Sequence, residues 1–197
     1  MPAAGEAMQY KCLVFDFFGV ISSEVAPVWL AKHLPAADAA AAKATIIEAA
    51  DCGELSQDEM FLALARLTGV PPAQIEREWQ ACVHIDERVV NLIRASAPQC
   101  KLGLITNAPS PFVRGLLARH AFNGLFDAIL VSAEIGCAKP DREIYQQSLA
   151  LLRVEAADAL MIDDNPDNIA GAIAAGMHGL LFRSYEQLRA ALADLSG

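Results

Sequence analysis

Polar residues that could take part in chemistry occur at four places along the chain, each where an apolar run ends or a helix is about to begin. They are Asp16, the pair Thr106 and Asn107, Lys139, and the pair Asp163 and Asp164. Three carboxylates on one edge of a fold repel one another and raise each other's pKa unless a cation joins them. Oxygen ligands with no histidine or cysteine nearby suit Mg²⁺. These residue types therefore predict a site that holds a cation and an anionic group.

The elements that must position these residues alternate between strand and helix. Short apolar runs rich in branched and aromatic residues predict five strands. The predicted strands are Tyr10–Asp16, Lys101–Thr106, Ala128–Val131, Ala159–Asp163 and Gly179–Phe182. Helical patterns between them indicate an α/β fold with a doubly wound, mostly parallel sheet. The carboxyl ends of parallel strands meet at one edge, so the four groups of polar residues should meet there.

The stretch from residue 23 to residue 83 departs from this alternation, because it predicts helices only. Its signals include an alanine-rich segment at 36–50, a capping box formed by Ser56 and Glu59, and Pro71-Pro72 at a helix start. We therefore expect a Rossmann-like core made of residues 10–22 and 84–197, a small helical insert at 23–83 after the first strand, and a tail at 1–9.

Composition excludes several classes of function. The 197 residues carry a net charge of −9, which disfavours nucleic acid and anionic membranes as partners. The five cysteines are scattered without a C-x-x-C pair, so we expect neither a disulfide framework nor a zinc site. The start of the chain lacks the pattern of a signal peptide and no apolar run reaches membrane-spanning length. A cytoplasmic protein, monomeric or homodimeric, is the expectation.

Four sequence motifs in fixed order resemble those of the haloacid dehalogenase-like (HAD) hydrolase superfamily. They are FDFFGVI, LGLITNA, GCAKPDREIY and MIDDNPDNIAGAIAAGM. The insert after the first motif is similar to the family's C1-type cap. Receiver domains also combine Asp, Thr and Lys on a parallel sheet. Their acidic pair comes first in the chain, however, whereas here it comes last, and this order excludes them.

The resemblance implies roles for the residues that match the motifs. Asp16 would be the nucleophile and would accept a phosphoryl group as an aspartyl-phosphate. The hydroxyl of Thr106, the amide of Asn107 and the ammonium of Lys139 would bind the phosphoryl oxygens. The substrate would then be a small phosphorylated metabolite, such as a sugar phosphate.

The same resemblance implies a Mg²⁺ site at this edge. Its ligands would be Asp16, Asp163 and Asp164, together with the backbone carbonyl of Phe18. Asp167 and Asn168 begin the helix after the acidic pair. One of them would orient Lys139 or a ligand, unless both only cap the helix.

Phe18 is a departure from the phosphatase pattern, which places a second Asp there as a general acid and base. Haloacid dehalogenases carry an aromatic residue at this position, but they lack the acidic pair retained here. Three readings stay open: a Mg²⁺-dependent phosphatase, a 2-haloacid dehalogenase, and a weak or inactive binding protein with the same fold. Candidates in the insert are Glu54 as a replacement acid, and the residues Lys32, His33, Lys43 and Arg66 as substrate contacts.

Overall fold

The computed structural model describes residues 10–194 and shows the predicted α/β architecture. Five parallel strands form one sheet in the order β3-β2-β1-β4-β5. The strands are β1 (Cys12–Phe15), β2 (Lys101–Thr106), β3 (Ala128–Val131), β4 (Ala159–Asp163) and β5 (His178–Leu181). Each lies within two residues of its predicted range at both ends. The order changes direction on either side of β1, and this is where open α/β sheets bind ligands.

The sheet is covered by helices on both faces, as its apolar strands require. On β1, Cys12 and Val14 pack with one layer of the core, whereas Leu13 and Phe15 pack with the other. All four residues are fully buried. Because neighbouring side chains of a strand point to opposite faces, an apolar strand without alternation belongs in the middle of such a sandwich.

The helices follow the order expected from the sequence. They are α1 (Ala26–His33), α2 (Ala36–Ala42), α3 (Glu48–Asp51), α4 (Gln57–Thr68), α5 (Pro72–Cys82), α6 (Glu87–Ser96), α7 (Ser110–Arg119), α8 (Ser132–Ile135), α9 (Arg142–Leu152), α10 (Pro166–Ala174) and α11 (Tyr185–Asp194). A π-helical turn, Lys43–Ile47, joins α2 to α3, so the alanine-rich segment is helical throughout, as predicted. The predicted tail at 1–9 and the last residues, 195–197, lie outside the described residues.

The helical insert leaves and returns to the core at nearly the same point. Ser23 Oγ donates a hydrogen bond to the Cys82 carbonyl at 2.6 Å, and the His84 backbone N–H donates to Ser23 Oγ at 2.9 Å. The Ser23 backbone N–H donates to the His84 carbonyl at 3.0 Å. These contacts lie at the expected boundaries, residues 23 and 83. The division into two domains itself stays a prediction.

Membrane-spanning helices are absent from the described part of the chain. None of its helices combines the length and the apolar character needed to cross a bilayer. The five cysteines are all free thiols, and two of them, Cys12 and Cys137, are buried.

Candidate active site

The predicted polar residues meet at the carboxyl edge of the sheet. Asp16 follows β1 directly, Thr106 ends β2 and Asp163 ends β4, while Lys139 enters from the loop after α8. Lys139 Nζ lies 2.8 Å from Asp16 Oδ1 and 2.6 Å from Asp163 Oδ2. All four residues are buried. Strands that are adjacent in the sheet thus bring together residues that are up to 147 positions apart in the chain.

Asp163 is held by several hydrogen bonds besides the one from Lys139. The side-chain amide of Asn168 donates to its two carboxylate oxygens at 3.0 and 3.1 Å. The backbone N–H of Asn165 donates to Asp163 Oδ1 at 2.8 Å. Asp167 is exposed and makes no such contact with its side chain. Of the two residues singled out after the acidic pair, Asn168 is therefore the one that acts on the site, through Asp163.

Lys139 is positioned by Asn107. The Asn107 side chain donates to the Lys139 carbonyl at 2.8 Å and accepts from the Lys139 backbone N–H at 2.9 Å. These bonds use the oxygen and one N–H of the side-chain amide, so its second N–H and the backbone N–H of Asn107 are left for a phosphoryl oxygen. The role of Asn107 in holding Lys139 has no signature in the sequence.

Three carboxylates crowd around one ammonium group. Asp16, Asp163 and Asp164 each place an oxygen within 4.8 Å of the others. Burial raises the pKa of Asp16 well above its usual value, with Lys139 opposing and the neighbouring carboxylates reinforcing the rise. Burial and then Asp163 raise the pKa of Asp164. Burial lowers the pKa of Lys139, but attraction by Asp16 and Asp163 outweighs it and raises that pKa above its ordinary value.

The residues present fit a Mg²⁺ ion. One ammonium group leaves two negative charges of the three carboxylates uncompensated, and oxygen donors suit this cation. The Phe18 carbonyl accepts no hydrogen bond from the described residues. Gly19, at φ +86°, lies so close to Asp164 that a Cβ there would be 2.3 Å from its Oδ2. The chain thus makes room for the Asp164 carboxylate beside an unpaired carbonyl.

Thr106 carries an unsatisfied polar group at the same edge. Its side chain is fully buried, and its hydroxyl has no hydrogen-bond partner among the described residues. A buried hydroxyl without a partner costs free energy, on the order of 1–3 kcal/mol. The hydroxyl is therefore available to donate a hydrogen bond to a group that the described residues do not supply.

A cavity of about 480 Å³ opens over Asp16, Lys139 and Asp164. One of its walls is aromatic, because Phe18 stacks on Phe112 at 6.2 Å with 14° between the rings. Trp79 from α5 meets Phe112 edge to face at 5.5 Å. Phe112 and Trp79 were not predicted as residues of the site, since apolar residues at helical spacing predict only core packing.

The insert also lines the cavity with charged residues. Its residues there include Lys43, Glu48 and Asp51, and Glu24 lines the cavity from the segment before α1. Lys43 is thus the one predicted substrate contact that the structure places in the cavity. Two others, Lys32 and His33, bind Glu78 at 3.3 and 2.6 Å instead.

The remaining predicted residues of the insert, Glu54 and Arg66, are absent from the described cavity lining. Glu24 and Asp51 line the cavity and were not predicted from the sequence. The only signal for Asp51 was its position two residues before Gly53, which also fits an ordinary helix end.

Comparison with known proteins finds a phosphatase among the relatives of this chain. The chain is 33% identical over 132 residues to the sesquiterpene phosphatase astK of Aspergillus oryzae, an alignment that covers 65% of the chain and 67% of the relative. The chain spans less than half the length of several other curated relatives that it matches.

Solved structures share the fold. A HAD-like hydrolase from Porphyromonas gingivalis superposes with a TM-score of 0.79 at 22% identity, covering 95% of this chain and 98% of the other. A HAD family enzyme from Bacteroides thetaiotaomicron, in complex with magnesium and inorganic phosphate, gives 0.75 at 18% identity, covering 91% and 98%. A family model described as haloacid dehalogenase-like hydrolase matches residues 10–176. Taken with the four motifs at one sheet edge, this match shows that the chain belongs to the haloacid dehalogenase-like hydrolase family.

Proposed function

We propose that the protein is a Mg²⁺-dependent phosphatase of a small phosphorylated metabolite and that it acts through an aspartyl-phosphate on Asp16. The observation that carries this proposal is the buried ammonium group of Lys139, which contacts both Asp16 and Asp163. A carboxylate held beside a buried cation, at the floor of a cavity, is placed to attack an electrophile and to keep its charge compensated.

Each step of the reaction is assigned to residues of the site. Asp16 attacks the phosphorus atom and forms the covalent intermediate, which water later hydrolyses. Lys139, the hydroxyl of Thr106 and the backbone N–H of Asn107 bind the phosphoryl oxygens, whose charge grows as the bonds exchange. Asn107 and Asn168 act through Lys139 and Asp163, respectively.

The metal in this proposal would be held by Asp16, Asp164 and the Phe18 carbonyl. Asp163 completes the predicted ligand set, although both its oxygens already accept hydrogen bonds. Bound Mg²⁺ would offset the negative charge that the carboxylates and the phosphoryl group bring together. A relative named as a sesquiterpene phosphatase and a structural neighbour solved with magnesium and phosphate support this reading.

A 2-haloacid dehalogenase is the second candidate function. The aromatic ring of Phe18, stacked on Phe112 in the cavity, favours it, because a halide leaves without a proton. The retained Asp164 favours the phosphatase, since another carboxylate beside Asp163 costs free energy unless a cation is bound. An inactive phosphate-binding protein with the same site is the third reading. A cytoplasmic location and a monomeric or homodimeric state remain predictions.

A phosphate-release assay distinguishes these three candidate functions. The protein should hydrolyse some members of a panel of aryl, acyl and sugar phosphates in the presence of Mg²⁺, and EDTA should abolish this. Asp16→Asn should remove turnover while keeping the fold, because an amide is a poor nucleophile. Halide release from 2-chloropropionate without metal would establish the dehalogenase instead. Beryllium fluoride bound at Asp16 without turnover of any substrate would indicate the binding protein.

A further inference from the structure

Hydrolysis of an alkyl phosphate requires a proton donor in the cavity. The oxygen of the leaving alcohol must gain a proton as its bond to phosphorus breaks, and the attacking water must later lose one. Phe18, the side chain next to the nucleophile along the cavity floor, can do neither. If the proposed function is correct, on which this inference rests, another residue carries that proton.

The carboxyl groups that line the cavity are the candidates for this proton donor, and they differ in burial. Outside the carboxylate cluster the cavity is lined by Glu24, Glu48, Asp51, Asp141 and Asp167. Glu48, Asp141 and Asp167 are exposed to water. Glu24 and Asp51 are half-buried. Only these two carboxyl groups have surroundings that favour a retained proton.

The electrostatic surroundings distinguish Asp51 from Glu24. Burial raises the pKa of Glu24, and Asp164 and Asp163 of the cluster add to the rise. A cation bound at the cluster would cancel that contribution and promote ionisation of Glu24. Burial also raises the pKa of Asp51, to about 7, and the other groups that raise it are Glu48 and Glu24. Asp51 therefore does not depend on the cluster to keep its proton.

Charged groups from several elements act on Asp51. Glu48 of the same helix and Glu24 from the segment before α1 raise its pKa, whereas Lys43 of the π-helical turn and Lys139 of the core lower it. The Asp51 carboxyl group makes no hydrogen bond or ion pair with any described residue. An acid without a fixed partner can exchange its proton with a ligand.

The turn that carries Asp51 is fixed against the core. Asp51 is the last residue of α3, and the Glu54 backbone N–H closes the helix end by donating to the Ala49 carbonyl at 2.8 Å. Gly53 follows at φ +76°, and a Cβ there would lie 2.5 Å from the Ala133 carbonyl of α8. This contact holds the turn on a core helix, so Asp51 keeps a defined place in the cavity.

We infer that Asp51 is the general acid and base of the reaction. In the first step Asp16 forms a bond to phosphorus, the bond to the leaving oxygen breaks, and that oxygen takes the proton of the Asp51 carboxyl group. In the second step a water molecule gives its proton to the Asp51 carboxylate and bonds to phosphorus, and the bond to Asp16 breaks. The cycle consumes one water and restores both residues.

Asp51→Asn tests this assignment through the two steps separately. With an alkyl phosphate, turnover should fall about 10²–10⁴-fold, the contribution of a typical acid or base. With p-nitrophenyl phosphate, whose leaving group needs no proton, one equivalent of nitrophenol should appear in a rapid burst before slow turnover. Phe18→Asp in the Asp51→Asn background should restore part of the alkyl-phosphate rate, which a purely structural role would not allow.

Matched variants complete the experiment. Glu54→Gln removes an exposed acid of the same turn outside the cavity and should leave both substrates unaffected. Equal turnover of Asp51→Asn and the parent would overturn the assignment of the acid to Asp51 but not the proposed function. The same conclusion would follow if Glu24→Gln, and not Asp51→Asn, gave the burst followed by slow turnover. Loss of the burst in Asp51→Asn with p-nitrophenyl phosphate would also overturn the assignment, because Asp51 would then be needed for the attack by Asp16. A parent protein that releases phosphate from no substrate would overturn the proposed function as well.

Discussion

The side-chain amide of Asn107 is joined at both ends to the backbone of Lys139, by hydrogen bonds of 2.8 and 2.9 Å. Asn107→Ala should therefore release the segment that carries Lys139. We expect a loss of about 1–3 kcal/mol in the free energy of unfolding, because backbone groups of a buried residue lose their partners. Urea unfolding measures this, with Asn91→Ala at an exposed position of α6 as control. Equal midpoints for both variants would contradict the positioning role.

Lys139→Met should show how far the buried carboxylates depend on their cation. Removing one partner of a buried ion pair costs about 3–5 kcal/mol. The loss should be largest at pH 8 and smaller near pH 5, because protonation of Asp16 removes the uncompensated charge as the pH falls. Unfolding measured at the two pH values checks this. A loss independent of pH would indicate that packing of the lysine stem dominates.

Gly19→Ala should weaken metal binding. An added methyl group would lie 2.3 Å from Asp164 Oδ2, and the φ of +86° disfavours any residue with a Cβ. In the parent, saturating Mg²⁺ should raise Tm, since only the folded state holds the carboxylates together. The variant should lose most of that increase. Gly124→Ala, where a Cβ meets nothing within 4 Å, is the control. An undiminished response to Mg²⁺ would show that Asp164 binds no metal.

The sequence predicted the sheet and its active edge because the relevant signals are local. Buried strands such as β1 are recognisable from continuous apolar residues, and Asp16 follows that run directly. The residues that the insert brings to the cavity were harder to predict from the sequence. Asp51 and Trp79 reach the site through the packing of the insert on the core, and this depends on contacts between distant segments. For the same reason Glu54, and not Asp51, was the acid predicted from the sequence.

Phe18→Asp should place a carboxyl group beside the nucleophile while keeping the backbone carbonyl that we assign to the metal. In the parent, where we assign the acid to Asp51, the rates should change little. In the Asp51→Asn background we expect alkyl phosphates to gain more than aryl phosphates, by a part of the roughly 10²–10⁴ that an acid supplies. Phe18 packs on Phe112 and Phe17, so a thermal unfolding curve must accompany the rates. A folded double variant with unchanged rates on both substrates would show that a carboxyl group at position 18 cannot take over the proton transfer.

Asp51 should make stability depend on pH. Its pKa of about 7 in the folded state exceeds the ordinary value of 3.8, so the folded state binds the proton more tightly. Stability from this group is present at pH 4 and is lost as the pH rises through 7. Asn cannot ionise, so the Tm of Asp51→Asn relative to the parent should increase between pH 4 and pH 8. Melting curves in EDTA test this, and a difference that does not change with pH would refute it.

Ser23, Cys82 and His84 close the helical insert at a single hydrogen-bonded point. A segment whose two ends lie side by side can be exchanged for another of different length without moving β1 or β2. The catalytic edge would keep Asp16, Lys139 and Asp163, while the exchanged segment would bring a new wall and a new acid to the cavity. The closure point is therefore a natural junction for building chimeric enzymes with altered substrate preference.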